Sequence, residues 1–433
     1  MRADRTWIFI SAYDSYMPSK AGPVTSAERI LYIDILRGMA LFGILAANMR
    51  GFSAPAPVYG NIKVLFHGRA DMIAQAFIDI FIQGKFVTLF SFLFGLGFAV
   101  QFTRAEARGA KFMSFYPRRL AALALFGMIH GILIWWGDIL LTYALAGALL
   151  LFFRNRQQKT LLWWAGSIFV LPVLVISGVY IAALFGHGPA ASANKPPDME
   201  KIQRVIAIYS HGTIPQMLKQ NVIAWKEELP AIGFSIYALF LFLLGLWVWR
   251  AGIVQRLDEY QPVLKRVCAW CLPIGIAGCT FVALANMRPP NLTGKPTIIG
   301  FLANVLNFPS AHILSAGYAS GLAVLIQNDR WRMRLTPFAA VGRTALTNYL
   351  TQSVVCTLFF YHYTTGLFGR VGPALDLIPT VVLYGSQVVL SNWWLARFRF
   401  GPMEWLWRGM TYGKFPSMRK DEPVASPILE SPA

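Results

Sequence analysis

The chain has 433 residues, of which 56% are hydrophobic and 14% charged, and its formal net charge is +19. A soluble domain carries about 25% charged residues, and a water-soluble core of this size would not cover so much apolar surface. The basic residues fall in short segments between apolar runs, which favours orientation in a bilayer over nucleic-acid binding as the reason for the charge.

Residues 1–30 are polar with scattered aromatics and lack the apolar core of a signal peptide. They read as a cytoplasmic N-terminal extension. About 20 apolar residues are needed to cross the hydrocarbon core. Candidate spans are 31–49, 80–102, 119–137, 139–153, 160–185, 231–250, 264–285, 299–326, 340–362 and 374–396. With the N-terminus inside, 26 of the 39 Lys and Arg residues fall in inside segments and 11 in outside segments. This alternation predicts an all-α polytopic transmembrane helical bundle over 31–412, with about ten helices and both termini in the cytoplasm. Paired tryptophans at the ends of apolar runs, such as Trp135-Trp136 and Trp393-Trp394, suit an interfacial aromatic belt.

Intramembrane charges are rare and usually functional. In the first span Asp34 and Arg37 are i,i+3 neighbours, and Asn48, eleven residues after Arg37, returns to nearly the same face. Gly38 allows a neighbour to approach. The stripe reads either as part of a substrate path or as an interfacial ion pair that orients the helix. The second span holds Lys85 and Phe94-Gly95-Leu96-Gly97-Phe98. These glycines lack a dinucleotide fingerprint and read as close helix packing.

The third span carries His130, about 16 Å of helix rise beyond Arg119. Asp138 follows in the short turn to the fourth span. A His beside a carboxylate is the arrangement of a general base with a fixed tautomer. The plainer alternative is a buried neutral His, with Asp138 capping the next helix.

Residues 186–230 form an outside loop with one or two short helices. Cys268 and Cys271 make a C-x-x-C in an apolar run, without the partners of a zinc set, and read as small apolar residues. No metal site is expected. Pro309, followed by His312, is expected to interrupt or kink the eighth span. The ninth span bears a polar stripe of Thr344, Asn348 and Gln352, with Arg343 at its cytoplasmic mouth. That stripe either lines a substrate path or bonds helix to helix. Beyond 413 the tail is polar and Pro-rich, and disorder is expected over 413–433.

Several strings resemble the YeiB-like family of bacterial inner-membrane proteins (domain of unknown function 418). They are RILYIDILRGMALFGILAANM, GKFVTLFSFLFGLGF, IHGILIWWGDILLTYALAG, GRTALTNYLTQS and FRFGPMEWLWRGMTYG. The resemblance covers most of the chain and implies a multi-pass protein of the bacterial inner membrane. More distantly, Asp34, Arg37, Gly38 and Asn48 are similar to the first membrane helix of heparan-glucosaminide acetyltransferase-type enzymes. Those enzymes pass an acyl group from cytosolic acyl-CoA to an acceptor across the membrane with an intramembrane His. No His closely follows the first span here, so His130 or His67 would supply the base.

The resemblance implies acyl transfer to a hydroxyl or amine of an envelope glycan or lipid. No tightly bound cofactor is expected, with acyl-CoA as co-substrate. Arg37 and Arg343 would attract its phosphates, and His130 with Asp138 would do the chemistry. Asp34, Asn48, Asn348 and Gln352 would line the path. The competing readings are a permease for a small polar solute and a membrane protein without catalysis.

Overall fold

The computed structural model describes residues 30–60, 62–185, 198–228, 231–287 and 297–420. The expected N-terminal extension, apart from residue 30, lies outside the described residues. So do 186–197 of the outside loop and 421–433 of the tail.

The helices follow in chain order. They begin with α1 (Leu31–Ser53), α2 (Ala56–Gly60), α3 (Arg69–Phe81), α4 (Lys85–Ala107), α5 (Tyr116–Ile129) and α6 (Leu140–Leu150). Next come α7 (Gln158–Leu184), α8 (Met199–His211), α9 (Ile214–Glu228), α10 (Ala231–Arg250) and α11 (Gln261–Asn286). The last are α12 (Ile298–Leu325), α13 (Asp329–Arg343), α14 (Ala345–Phe360), α15 (Pro373–Arg397) and α16 (Pro402–Tyr412). Among the described residues the only β-pairing is one bridge, between Phe398 and Arg419.

Seven helical stretches are long and apolar enough to cross a membrane, and Leu140–Phe153 and Phe234–Arg250 are shorter apolar helices. The chain is therefore an all-α, multi-pass helical membrane bundle. The hydrophobic residues face outward as well as inward. On α7, Leu171 is 62% and Leu174 61% exposed, as expected for a helix that is apolar all round and lies against lipid.

α1 is the central helix. It packs against α4, α13, α14 and α15. Its contact with α13 is backbone to backbone. A side chain at Gly342 would overlap the Asp34 carbonyl, and one at Gly38 would overlap the Phe338 carbonyl. Small residues permit such approach between membrane helices, where dispersion contacts rather than water drive association. The Tyr384 hydroxyl of α15 donates to the Gly38 carbonyl at 2.7 Å.

Several local expectations differ from the structure. The stretch 327–339, left between the expected eighth and ninth spans, falls almost wholly within helix α13. The expected ninth span is two helices, broken at Thr344, which leaves helical geometry with φ −110° and ψ 36°. The second span is also two helices, divided before Lys85 where Gly84 takes a left-handed φ of 82°. Of the two outcomes expected at Pro309, an interruption or a kink, the interruption is absent: α12 runs through it as one helix. Finally, the start of the tail is packed: Arg399 N–H donates to the Met418 carbonyl at 2.9 Å, and Phe415 lies 4.7 Å from Trp405, ring to ring.

Candidate functional site

At the arginine-rich end of the bundle, the end that the basic residues assign to the cytoplasm, a cavity of about 270 Å³ opens between α1, α4, α5, α6, α13, α14 and α16. Its mouth gathers Arg37, Arg104, Arg119, Arg343 and Arg408 with the carboxylates Asp34 and Glu404. Farther in, the wall is apolar and aromatic, with Phe90, Phe94, Leu123, Leu140, Tyr143 and Tyr349. A basic entrance joined to an apolar bore suits an amphipathic ligand with an anionic head.

Helix α16 forms the floor of the mouth. Gly401-Pro402 starts it, since Pro suits the first helical position. Glu404 reaches the N-terminus of α14 and accepts from the Leu346 N–H at 2.6 Å, the Thr347 N–H at 3.1 Å and the Thr347 hydroxyl at 2.6 Å. Burial pushes the Glu404 carboxyl above the usual carboxylate range, against hydrogen bonds that favour its charged form. Trp407 holds Arg119 twice: its ring lies 3.5 Å from the guanidinium carbon, and its indole N–H donates to the Arg119 carbonyl at 2.9 Å. Arg37 pairs with Asp34 at 3.5 Å.

Behind the inner wall lies the His130–Asp138 pair. The third span changes winding here, and His130–Ile134 form a π-helical turn after α5. Such turns recur at functional sites because they free backbone groups and re-aim side chains. His130 Nδ1 and Asp138 Oδ1 are 2.9 Å apart, and both side chains are fully buried. Asp138 accepts through Nδ1–H, which leaves Nε2 as the basic nitrogen. That Nε2 has no hydrogen-bond partner. Asp138 also caps α6, accepting from the Leu141 N–H at 2.9 Å. Asp138 therefore both contacts the imidazole and caps the next helix. Tyr349 packs its ring against the imidazole, with centroids 5.2 Å apart, and lines the cavity. His130 and Asp138 do not themselves line it.

On the far side, the α8–α9 hairpin covers this end of the bundle. Trp225 packs against Gly131, where a side chain would meet the indole. Asn221, held by the Tyr209 hydroxyl at 2.7 Å, reaches the Ile134 carbonyl at 3.5 Å.

The expected site residues divide. Asp34, Arg37 and Arg343 line the cavity, and His130 with Asp138 stand behind Tyr349. Asn48, Asn348 and Gln352 do not line it. Asn348 donates to Thr344 at 2.8 Å and Ser391 at 3.0 Å, and Gln352 donates to Gln387 at 2.8 Å. These residues zip α14 to α15, because that helix face turns toward α15 and away from the cavity. Asn48 belongs to the same central helix as Asp34, yet it lies nearer the opposite end and outside the cavity. His67 is exposed in the turn before α3. His312 is engaged by Tyr237 and the Phe308 carbonyl, each at 2.6 Å, outside the cavity.

Sequence reasoning missed Arg104, Arg119, Arg408, Glu404 and Tyr349 as one site. The string GPMEWLWRGM signals an amphipathic helix with a Pro start, but nothing local places it under α14. A second buried cluster was also missed. Asp376 accepts from Ser53 at 2.8 Å, Asp79 from Gln75 at 2.6 Å, and Arg50 interacts electrostatically with both carboxylates. Among the described residues, no group of His, Cys, Asp and Glu has a metal-binding arrangement.

Comparison with known proteins gives a family. Residues 248–414 match the family described as "Protein of unknown function (DUF418)". The chain is 36% identical over 410 residues to the uncharacterized protein YxaH of Bacillus subtilis (strain 168), covering 91% of this chain and 97% of that one. It is 31% identical over 392 residues to the uncharacterized protein YeiB of Escherichia coli (strain K12), covering 89% of this chain and 96% of YeiB. With matches of that length and identity, the chain belongs to the DUF418 family of YeiB-like membrane proteins.

Proposed function

We propose that this protein is a transmembrane acyltransferase that moves an acyl group from cytosolic acyl-CoA to a hydroxyl or amine of an envelope molecule, in the bacterial inner membrane. One observation carries the reading: a single cavity links five arginines at the cytoplasmic end to the wall in front of the His130–Asp138 pair. The nucleotide phosphates sit among Arg37, Arg104, Arg119, Arg343 and Arg408, whose guanidinium forks suit phosphate oxygens. The phosphopantetheine arm then extends up the apolar bore. The eleven residues from Arg119 to His130 rise about 16 Å, a distance an extended phosphopantetheine arm spans. His130 Nε2, held in register by Asp138, removes the acceptor's proton. The distant likeness of the first helix to heparan-glucosaminide acetyltransferase-type enzymes points the same way.

The test is binding and turnover with the full chain in detergent or nanodiscs. Acetyl-CoA is expected to bind, and Arg37→Ala or Arg343→Ala to weaken it about tenfold or more, since one hydrogen bond to a charged group contributes about 1.5–3 kcal/mol. His130→Ala is expected to keep binding and to lose roughly 10²–10⁴-fold in acyl transfer. No acetyl-CoA binding by the wild type, or binding indifferent to both arginines, rejects the proposal.

A second reading is favoured by the Arg50, Asp79 and Asp376 cluster in the outer half. Buried ionisable groups of both signs suit a proton-coupled permease for a small polar solute. Solute movement into liposomes with no acyl donor present decides for the permease.

A further inference from the structure

We infer that Tyr349 is a catalytic residue, whose hydroxyl donates a hydrogen bond to the thioester carbonyl oxygen as charge builds on it during transfer; this rests on the acyl-transfer reading. Three observations carry the assignment. Of the Tyr349, His130 and Asp138 cluster, Tyr349 alone lines the cavity, so a donor entering from the arginine mouth meets it first. Its ring lies against the His130 imidazole at 5.2 Å between centroids, which places a donor on the cavity wall and a base directly behind it. Its hydroxyl is buried near the Ile139 backbone without a well-formed hydrogen bond, and Nε2 of the neighbouring His130 ring is also unpartnered.

Buried polar groups are normally satisfied, and each exception calls for an explanation. Two exceptions on a pair of contacting rings, one a donor and one an acceptor, match what a carbonyl under attack requires. Tyr143, the other tyrosine deep in the cavity, is already engaged with Ser91 at 2.7 Å. Helix α14 sets the position: Ala345 and Leu346, one turn earlier, line the same cavity, and Glu404 anchors the helix start.

The step balances as follows. The acceptor oxygen forms a bond to the carbonyl carbon, and its proton passes to His130 Nε2. The carbonyl electron pair moves onto oxygen, where the Tyr349 O–H holds it. The pair returns, the C–S bond breaks, and the departing thiolate takes the proton from His130. Tyr349 ends with the proton it began with. Donors aimed at the developing oxyanion, and not at the ground state, raise the rate without tightening binding.

Tyr349→Phe tests this in the full chain, with acetyl-CoA as donor, water as acceptor, and free thiol as the product read. Thiol release is expected to fall about 10²-fold, with acetyl-CoA affinity unchanged within twofold. The melting temperature is expected to hold, because the hydroxyl makes no well-formed folded-state hydrogen bond. Wild-type release by Tyr349→Phe, in a protein where His130→Ala is slow, overturns the role of Tyr349 and leaves the acyltransferase reading standing. A fall in melting temperature with equal loss of affinity also overturns it, since that marks a structural hydroxyl. Failure of the wild type to bind acetyl-CoA rejects the function itself, and this assignment with it.

Discussion

At the scale of single residues, the site is governed by what burial does to charge. Glu404 faces the arginine mouth while holding the start of α14, and burial raises its carboxyl above the ordinary range. The sign follows directly. A carboxyl with a raised folded-state pKa binds its proton more tightly in the folded protein. It therefore costs stability as pH rises through the window above the ordinary carboxylate value, and favours folding as pH falls. In that window protonation also removes one negative charge from the proposed anion-binding mouth. Acetyl-CoA affinity is expected to rise as pH is lowered through it, and Glu404→Gln is expected to bind more tightly at neutral pH with a flatter profile. Titrating binding against pH in both proteins checks this, and parallel profiles reject it. The pair behind the wall follows the same logic. Asp138→Asn keeps the shape of the carboxylate but no longer enforces Nδ1–H on His130, so acyl transfer is expected to fall while acetyl-CoA affinity holds.

At the scale of helices, two contacts separate packing from chemistry. The α1–α13 crossing depends on Gly38 and Gly342, where backbone meets backbone. Gly342→Val places a branched side chain onto the Asp34 carbonyl. It is expected to destabilise by roughly 1–3 kcal/mol or more, read as a lower melting temperature in detergent, and to disturb the mouth because Asp34 and Arg343 flank that crossing. The α14–α15 contact is the opposite case. Asn348 and Gln352 bond to Thr344, Ser391 and Gln387, away from the cavity. Asn348→Ala is expected to cost about 1 kcal/mol and to leave acetyl-CoA affinity unchanged. A large affinity loss with an unchanged melting temperature places Asn348 on the ligand path instead. Both residues were legible as an intramembrane polar stripe. Which way the stripe faced was not, because a polar face spares lipid equally well against a helix or a cavity.

At the scale of the whole molecule, the arrangement requires an arginine-rich side and a side covered by the α8–α9 hairpin, with His130 reached through the bundle from the first. From the distribution of basic loops, the arginine side is expected to face the cytoplasm. Ser114→Cys, before α5, and Lys219→Cys, on α9, are therefore expected to react with a membrane-impermeant maleimide from opposite faces of sealed vesicles, in a background lacking the four native cysteines. Labelling of both from one face contradicts the topology and, with it, the path from donor to acceptor.

The class of molecule and the position of most helices were legible in the order of amino acids alone. Crossing a bilayer is a local property, set by about 20 consecutive side chains and the charges that flank them. It therefore exposed α1, α7, α11, α12 and α15 with little ambiguity. It also brought out Arg37, Arg343, His130 and Asp138, since ionisable groups stand out in an apolar run. Where apolar character was not the deciding term, local reading failed. α13 is a polar-fronted helix held by α1, and α16 is an amphipathic helix held by α14 and Arg119. Which polar residues share a cavity became visible in the packed bundle. That outcome depends on the rotation and crossing of each helix, which are set by contacts such as Gly38 and Gly342 between segments some three hundred residues apart, and no single segment encodes them.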